Sequence, residues 1–403
     1  KEPEVGENSL DYSSNRRWEN VYLIIYGVIV AHDFLDATMF RIQWPPKFGL
    51  VLYFAIMVYT LAMLCFNNKY TKKELICAGV ILAAFVIAAV AGDNSFLFEV
   101  GFLIVGAKNI HFDRILKVFF GVSLVILAAA MICSQAGMIE NLVYPSVRGG
   151  VRQCFGTIYP TDFAAHVFYM AMAALCMNNR RIHIADIVIV GALGVFVYKA
   201  CSAFTGTMTL GLAAIGMIVV MIVQRRLEQK EKLEGTDAPL GWRNGILRFL
   251  TLAPVFFAAL FIGMVHLYRP ESAFWAKLDQ ILSLRLSVSA EGTANYAYRL
   301  FGQHVEEFGN GRSIETREHY FFLDDSYLRM ALIYGIVILI VVLLMMIIIA
   351  NRAVRYQRCM LYLAMLLIAL HCFMEQHLLE MAFNPFILGM FADMDRERTI
   401  HQK

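Results

Sequence analysis

Runs of apolar residues long enough to cross a bilayer recur along almost the whole chain, and short polar turns separate them. A helix that spans the hydrocarbon core needs about 20 predominantly apolar residues. Of the 403 residues, 59% are hydrophobic and only 17% are charged, which is too apolar for a soluble globular domain. The pattern therefore predicts one polytopic, all-α integral membrane domain that covers residues 1–403 and lies in a lipid bilayer.

The apolar runs predict about twelve transmembrane helices. The fourth run and the last two are short, so some of these helices are expected to be tilted, broken or re-entrant. The predicted helices cover residues 19–38, 46–66, 74–92, 94–107, 115–137, 161–178, 183–201, 206–224, 248–268, 326–350, 358–374 and 382–393.

Lysine and arginine fall mostly in the turns on one side of these helices. Cytoplasmic loops of membrane proteins carry such an excess, so this side and both termini are predicted to be cytoplasmic. On the other side the short turns are almost free of cations, and the arginines are concentrated in two loops, residues 138–160 and 269–325. We expect the arginines of these two loops to bind a ligand. The alternative is that extracytoplasmic loops tolerate some charge without any function.

The second loop is the long polar segment of the chain, and it mixes cations, carboxylates and aromatic side chains. Loops of this length are commonly functional or disordered, and the many aromatic residues argue against disorder. His319, Asp324 and Asp325 stand shortly before the next apolar run. Each of them has the chemistry of a general base. The simpler alternative is that Asp324 or Asp325 only caps the helix that begins near Ser326.

The first loop presents two arginines four residues apart, Arg148 and Arg152. An arginine side chain offers a planar fork of donors that suits phosphate oxygens. Gly156 in the same loop allows the backbone to approach a ligand closely, and Pro160 marks the start of the next helix. The alternative is that the two arginines anchor the helix end to lipid head groups. We favour the anchor for Arg148 and ligand binding for Arg152.

Four short motifs occur in these loops and near the end of the sequence. They are Arg152-x-x-Phe-Gly-x-x-x-Pro-x-Asp-Phe163, Tyr298-Arg-Leu-Phe-Gly-Gln303, Tyr320-Phe-Phe-Leu-Asp-Asp-Ser-Tyr-Leu328 and Met374-Glu-Gln-His377 followed by Asn384-Pro-Phe386. In order and placement they resemble segments of Wzy-type bacterial polysaccharide polymerases, which belong with the O-antigen ligases in a broad membrane family. The sequence departs from that pattern at Asp325, where asparagine is usual. It also departs at residues 201–207, which lack an arginine that many relatives carry.

The resemblance implies a GT-C-like glycosyltransferase architecture and a polymerase of O-antigen, capsule or exopolysaccharide. Donor and acceptor would be oligosaccharide repeats linked through diphosphate to a polyprenyl lipid such as undecaprenol. An acceptor hydroxyl would attack the donor anomeric carbon with inversion and expel the lipid diphosphate. The site would lie on the extracytoplasmic face of the bacterial inner membrane, and flippase and chain-length regulator proteins become candidate partners.

The resemblance also suggests roles for individual residues. No metal-ligand cluster is visible in the outer loops, so arginines would stabilise the leaving diphosphate. Arg152, Arg285 and Arg299 are the predicted diphosphate ligands. The spacing in the ligase relatives, counted back from Gly335, points to Asp324 as the catalytic base, with His319 as the second candidate. Further predicted substrate-binding residues are Arg148, Tyr327, Asp325 and Glu375.

Two other functions remain open on the sequence alone. A transporter of lipid-linked oligosaccharide would also bind diphosphate with arginines, but it is expected to place charges along a path through many helices, and most helices here carry few. A ligase that moves the glycan onto another acceptor would share the donor chemistry. The chain has no Walker A motif, no GxGxxG and no zinc-type spacing, so we expect no cofactor, no metal and no nucleic-acid partner.

Overall fold

The computed structural model describes residues 6–66, 70–145, 150–234, 245–314 and 320–395. Side chains are described from residue 16 onward, except at residues 227, 228, 230–234 and 246. Within these ranges the chain is mostly helical and contains one small antiparallel hairpin, in which Tyr144 pairs with Arg152. Its helices and strands are α1 Gly6–Asp36, α2 Phe48–Phe66, α3 Lys72–Ala91, α4 Ser95–Gly106, α5 Phe112–Gln135, β1 Val143–Pro145, β2 Val151–Gln153, α6 Pro160–Cys176, α7 Ile184–Cys201, α8 Phe204–Glu234, α9 Gly245–Leu250, α10 Ala253–Leu267, α11 Ala273–Ile281, α12 Arg285–Asn295, α13 Ser326–Arg329, α14 Ile336–Arg355 and α15 Cys359–His371.

Six helices in the described ranges are long and apolar enough to cross a membrane. They are α2, α3, α5, α7, the Phe204–Arg226 part of α8, and α14. Three shorter apolar helices accompany them: α4, α10 and α15. These helices support the predicted all-α membrane protein, whereas the figure of twelve spans and the GT-C-like architecture stay predictions.

Most of the cation-rich turns meet at one end of the bundle. Lys108 contacts Glu74, the Phe112 N–H donates to the Asp393 carbonyl, and Asn179 donates to Gln357. The two long loops meet at the other end, where Tyr144 donates to the Ser313 carbonyl. We call this second end the loop end. The grouping agrees with the charge asymmetry of the sequence, whereas the compartments stay predictions because the tails 1–5 and 396–403 lie outside the described residues.

The predicted helix 382–393 is wrong. The structure has only a short 3-10 turn, Phe386–Met390, inside a buried irregular segment that begins beside Ser326 at the loop end and ends beside Phe112 at the opposite end. Irregular backbone at membrane depth is tolerated where protein buries it and satisfies its polar groups. Arg352 does so here, because its guanidinium donates to the carbonyls of residues 389, 390 and 392 at 2.5–2.7 Å.

The predicted helix 326–350 is interrupted. Helix α13 continues into one π-helical turn, Met330–Tyr334, and α14 begins after Gly335. Residues 299–303 of the large loop fill this break: the Gln303 N–H donates to the Ile333 carbonyl at 3.0 Å, and the Arg299 carbonyl accepts from the Ile336 N–H at 3.0 Å. The large loop is thereby fixed to the helix that follows it.

The predicted helix 248–268 is also divided. It forms α9 and α10, which are separated just before Pro254, a residue that lacks the N–H of a continuous helix.

Candidate functional site

Arg285 is the central cation at the loop end, and it is 9% exposed at the first position of α12. Its Nε–H donates to the Met374 carbonyl, and its Nη2 lies 3.3 Å from Oε1 of Glu375 and 3.7 Å from Oδ2 of Asp324. Burial acts to lower the pKa of Arg285, but the surrounding acidic groups, with Glu375 and Asp324 first among them, act to raise it, and the net shift is upward. The guanidinium is therefore a fixed positive charge between two carboxylates.

The start of α12 is held by Asp279. Its Oδ1 accepts from the N–H groups of Leu286 at 2.8 Å and Ser287 at 3.2 Å, which satisfies the first free donors of the helix. Leu284, just before the helix, has a left-handed φ of 64°. The chain thus turns sharply into α12 and directs Arg285 toward the segment that follows α15.

The two carboxylates beside Arg285 differ in access to solvent. The Glu375 side chain is 5% exposed, and burial raises its pKa while Arg285 acts to lower it. The Asp324 side chain is 27% exposed. Glu375 is thus an enclosed partner of Arg285, whereas Asp324 is the acidic group of this pair that a substrate can reach.

The helix cap that the sequence left open between two carboxylates belongs to Asp325. Its Oδ1 accepts from the Leu328 N–H at 2.7 Å, and Ser289 Oγ donates to Oδ2 at 3.4 Å. Burial raises the pKa of Asp325 to about 7. Among the described residues Asp324 makes no such contact with the helix, so the cap does not lie at Asp324, and its role as a base stays a prediction.

Arg152 enters the same region from the hairpin strand β2. Its Nε–H donates to the Cys201 carbonyl at 3.2 Å, at the end of α7. Burial lowers the pKa of Arg152, the buried Glu375 acts to raise it, and the charge of Arg285 lowers it further. The two guanidinium groups therefore act on each other across one site. Arg152 forms no ion pair with a carboxylate in the described part of the chain.

Other predicted site residues lie elsewhere. Arg299 is exposed, and its Nε–H donates to Gln303 at 3.1 Å within the loop that fills the helix break. Tyr327 is fully buried, and its hydroxyl donates to the Ala369 carbonyl at 2.6 Å, so it presents no surface to a ligand. Arg148 and His319 lie outside the described residues.

Sequence reasoning missed a second ion pair near this site. Arg329 donates from Nη1 and Nη2 to the two carboxylate oxygens of Glu307, each at 2.8 Å, and also donates to the Leu323 carbonyl at 3.1 Å. The pair fixes the large loop directly before Asp324. A signal was present, because an arginine one turn inside an apolar run is costly in a membrane unless it has a partner.

A buried histidine adjoins the charged cluster. Nδ1 of His377 lies 2.9 Å from Oε2 of Glu380, and its Nε2 lies 3.8 Å from Oδ1 of Asp162. The ring stacks on Phe383, with centroids 3.7 Å apart. His377 and the predicted substrate-binding residue Glu375 are both almost completely enclosed here. Their contacts support the walls of the site.

The site thus combines a buried arginine, Arg285, and a half-buried one, Arg152, with one solvent-accessible carboxylate, Asp324. Fixed cations of this kind stabilise an anion that gains charge in a reaction. Among the described residues, no group of three or more His, Cys, Asp or Glu side chains has an arrangement that would hold a metal ion.

Comparisons with protein-family models, with curated proteins and with solved structures found no match to this chain. The resemblance to polysaccharide polymerases therefore depends on the sequence motifs and stays a prediction.

Proposed function

We propose that this chain is a metal-independent, inverting glycosyltransferase that polymerises polyprenyl-diphosphate-linked oligosaccharide repeats into a surface polysaccharide. The observation that carries the proposal is that Arg285 pairs with Asp324 at the loop end, and that Arg152, from a distant segment of the sequence, lies close enough for the charges of the two arginines to interact. Donor and acceptor would both reach the site from the bilayer, since both carry a lipid.

The two arginines would bind the donor diphosphate. Bond cleavage leaves an additional negative charge on the lipid diphosphate, and a cation fixed in a poorly solvated place stabilises that charge without reorganising. Arg152 suits this role because no described carboxylate forms an ion pair with it. Arg285 is held in place by Glu375 and the Met374 carbonyl, so its orientation is set before a ligand arrives.

Asp324 would act as the general base. The acceptor hydroxyl transfers its proton to Asp324, its oxygen forms a bond to the donor anomeric carbon from the opposite face, and the bond from that carbon to the phosphate oxygen breaks with its electron pair on the diphosphate. Inversion follows from a single displacement. Asp325 and Glu375 are less suited to this step, because both are buried and engaged by protein groups.

The site would face the extracytoplasmic side of a bacterial inner membrane, with both termini in the cytoplasm. The excess of Lys and Arg in the turns of the opposite end supports this orientation. Flippase and chain-length regulator proteins would be its partners there. No nucleic-acid partner is proposed.

The test uses purified protein in nanodiscs and a purified lipid-linked repeat, with polymer length read on a gel and released polyprenyl diphosphate measured separately. Arg152→Ala is expected to lose both products, and Arg152→Lys to recover little, because lysine lacks the bidentate fork. The matched control is Arg41→Ala, since Arg41 is an exposed arginine at the same end that pairs with Glu140 on the surface. Full polymer from Arg152→Ala would refute the diphosphate role.

The same assay separates the alternatives. A ligase would release polyprenyl diphosphate only when given a different acceptor, and its product would not lengthen stepwise. A transporter would release none in nanodiscs.

A further inference from the structure

A separate pocket lies in the large loop, beside the charged site. It has a volume of about 390 Å³, within the range of roughly 300–1,000 Å³ that is usual for small-molecule sites. Its wall is held by a pair of backbone hydrogen bonds: the Phe308 N–H donates to the Phe321 carbonyl at 2.7 Å, and the Phe321 N–H donates back at 3.1 Å. The Tyr296 ring stacks on Phe321, with centroids 6.3 Å apart. The pocket is thus a built feature of the loop.

The lining of the pocket combines aromatic surfaces with hydrogen-bond acceptors. Tyr296, Phe308 and Tyr320 supply the rings, and Glu291 and Glu306 supply carboxylates. Ionised carboxylates only accept hydrogen bonds, so they select ligands that donate several, such as polyhydroxylated ones. The faces of aromatic rings carry negative potential, which favours C–H groups and cations above them. A sugar ring presents hydroxyl donors at its edge and C–H groups on its face.

The charge of the pocket adds a restriction. Neither Glu291 nor Glu306 forms an ion pair with a cation among the described residues, so nothing described there offsets their charge. An acidic sugar would place a third carboxylate beside these two, and like charges in a partly enclosed site repel each other. A neutral sugar, or one with an amino group, meets no such repulsion.

The pocket is connected to the charged site by two elements. Helix α12 carries Arg285 in its first turn and Glu291 six residues later, a distance of about 9 Å along the helix axis. The second element is Tyr320, which lines the pocket. Burial raises the pKa of Tyr320, the charge of Asp324 raises this pKa further, and the charge of Arg285 acts to lower it. Tyr320 therefore lines the pocket and also lies close enough to Asp324 and Arg285 to interact with their charges.

We propose that this pocket binds a neutral or amine-bearing sugar of the saccharide chain, next to the sugar that reacts at Asp324, and that it excludes acidic sugars. The role in polymerisation rests on the proposed function, whereas the binding itself does not. The pocket would set which repeat units the site accepts, because a uronic acid at this position would be rejected before the reacting groups meet.

Saturation-transfer NMR on the full chain in nanodiscs tests the binding without any need for turnover. The probes are methyl glucoside and methyl galactoside, their two uronic counterparts, methyl glucosaminide, and tetramethylammonium. The neutral and amino glycosides are expected to give saturation transfer, and the uronides to give much less. Phe308→Ala is expected to weaken the neutral glycosides about 3–10-fold, the size of one aromatic contact. The control is Phe274→Ala, an exposed ring on α11 outside the pocket.

A second variant tests the charge restriction. In the double variant Glu291→Gln and Glu306→Gln the uronides are expected to bind nearly as well as the neutral glycosides, and Glu271→Gln, outside the pocket on the same loop, is expected to change nothing. Equal binding of uronides and neutral glycosides by the unaltered protein would overturn the proposal. So would binding of tetramethylammonium without any glycoside, because the pocket would then be a site for an organic cation. The two proposals can fail separately. Arg152→Ala is expected to lose polymerisation and keep glycoside binding, and if it kept polymerisation, only the proposed function would fail. If the unaltered protein polymerised the repeats but bound no glycoside in this pocket, only the pocket proposal would fail.

Discussion

Gly335 has a backbone conformation that no other residue adopts easily. Its φ is 96° and its ψ is 156°, in a region that is essentially restricted to glycine. A Cβ added there would lie 2.3 Å from the Gly302 nitrogen and 2.5 Å from the Leu300 oxygen. Both are backbone atoms, so no side chain can rotate away to relieve the overlap. We therefore expect Gly335→Ala to separate the large loop from the break between α13 and α14.

The expected cost has two parts. The strained backbone costs about 1–3 kcal/mol for a residue other than glycine. Moving residues 299–303 aside disrupts three hydrogen bonds of 3.0 Å, from Gln303 N to Ile333 O, from Ile336 N to Arg299 O and from Val337 N to Leu300 O. Three lost bonds cost about 1.5–4.5 kcal/mol at roughly 0.5–1.5 kcal/mol each. The sum is about 2.5–7.5 kcal/mol, which is large for a single substitution.

The measurement is thermal unfolding of the detergent-solubilised protein, followed as loss of the monodisperse peak in size-exclusion chromatography. Gly335→Ala is expected to lower the midpoint by several degrees or to prevent recovery of the protein. Gly121→Ala and Gly191→Ala are the matched controls, because each lies within a helix where an added Cβ meets no atom within 4 Å. If Gly335→Ala were as stable as these controls, the filled helix break would not contribute to stability as described.

Further predictions concern the charged site and its supports. Asp324→Asn is expected to leave folding and donor binding near normal and to slow polymerisation about 10²–10⁴-fold, because asparagine cannot accept the proton at neutral pH; a wild-type rate on the purified lipid-linked repeat would exclude Asp324 as the base. The pKa of Asp325 in the folded protein is about 7, above its usual value, so its stabilising contribution is complete below about pH 4 and is lost as pH rises through 7. Asp325→Asn is expected to keep the helix cap and to remove that part of the pH dependence of stability. Unfolding measurements at pH 5 and pH 8 that give the same pH dependence for the variant and the unaltered protein would contradict this. Arg352→Met is expected to destabilise the protein by about 2–5 kcal/mol, since it leaves three buried carbonyls without a donor, and unfolding measurements that show no change would refute this.

The sequence predicts much of the helical framework because bilayer length and apolar composition restrict what such runs can form. It fails at 382–393, where the apolar run is real but the backbone is irregular. Hydropathy reports that a segment is removed from water, not that its own hydrogen bonds are helical. Here Asn384 and Pro385 interrupt the run, and the free carbonyls are satisfied by Arg352, more than thirty residues earlier in the chain.

The cap at Asp325 and the pair of Arg329 with Glu307 show a different limit. Two adjacent carboxylates before a helix fit the capping pattern equally well, and only the direction of the chain decides which one turns toward the helix. The partner of Arg329 lies 22 residues earlier, in a loop without a regular period. Charge in an apolar run predicts that a partner exists, but no spacing rule predicts which residue it is.

Arg285 and Arg152 differ in what their substitution can reveal, and this follows from their contacts. Arg285 joins α12 to the segment after α15 and neutralises Glu375, so its removal leaves a buried carboxylate unpaired and is expected to disturb the fold as well as the site. Arg152 has a single described side-chain hydrogen bond, to the Cys201 carbonyl. Its loss should therefore affect ligand binding more than folding. A defect in Arg285→Ala alone would not distinguish a diphosphate ligand from a structural arginine, whereas a stable Arg152→Ala protein without activity would.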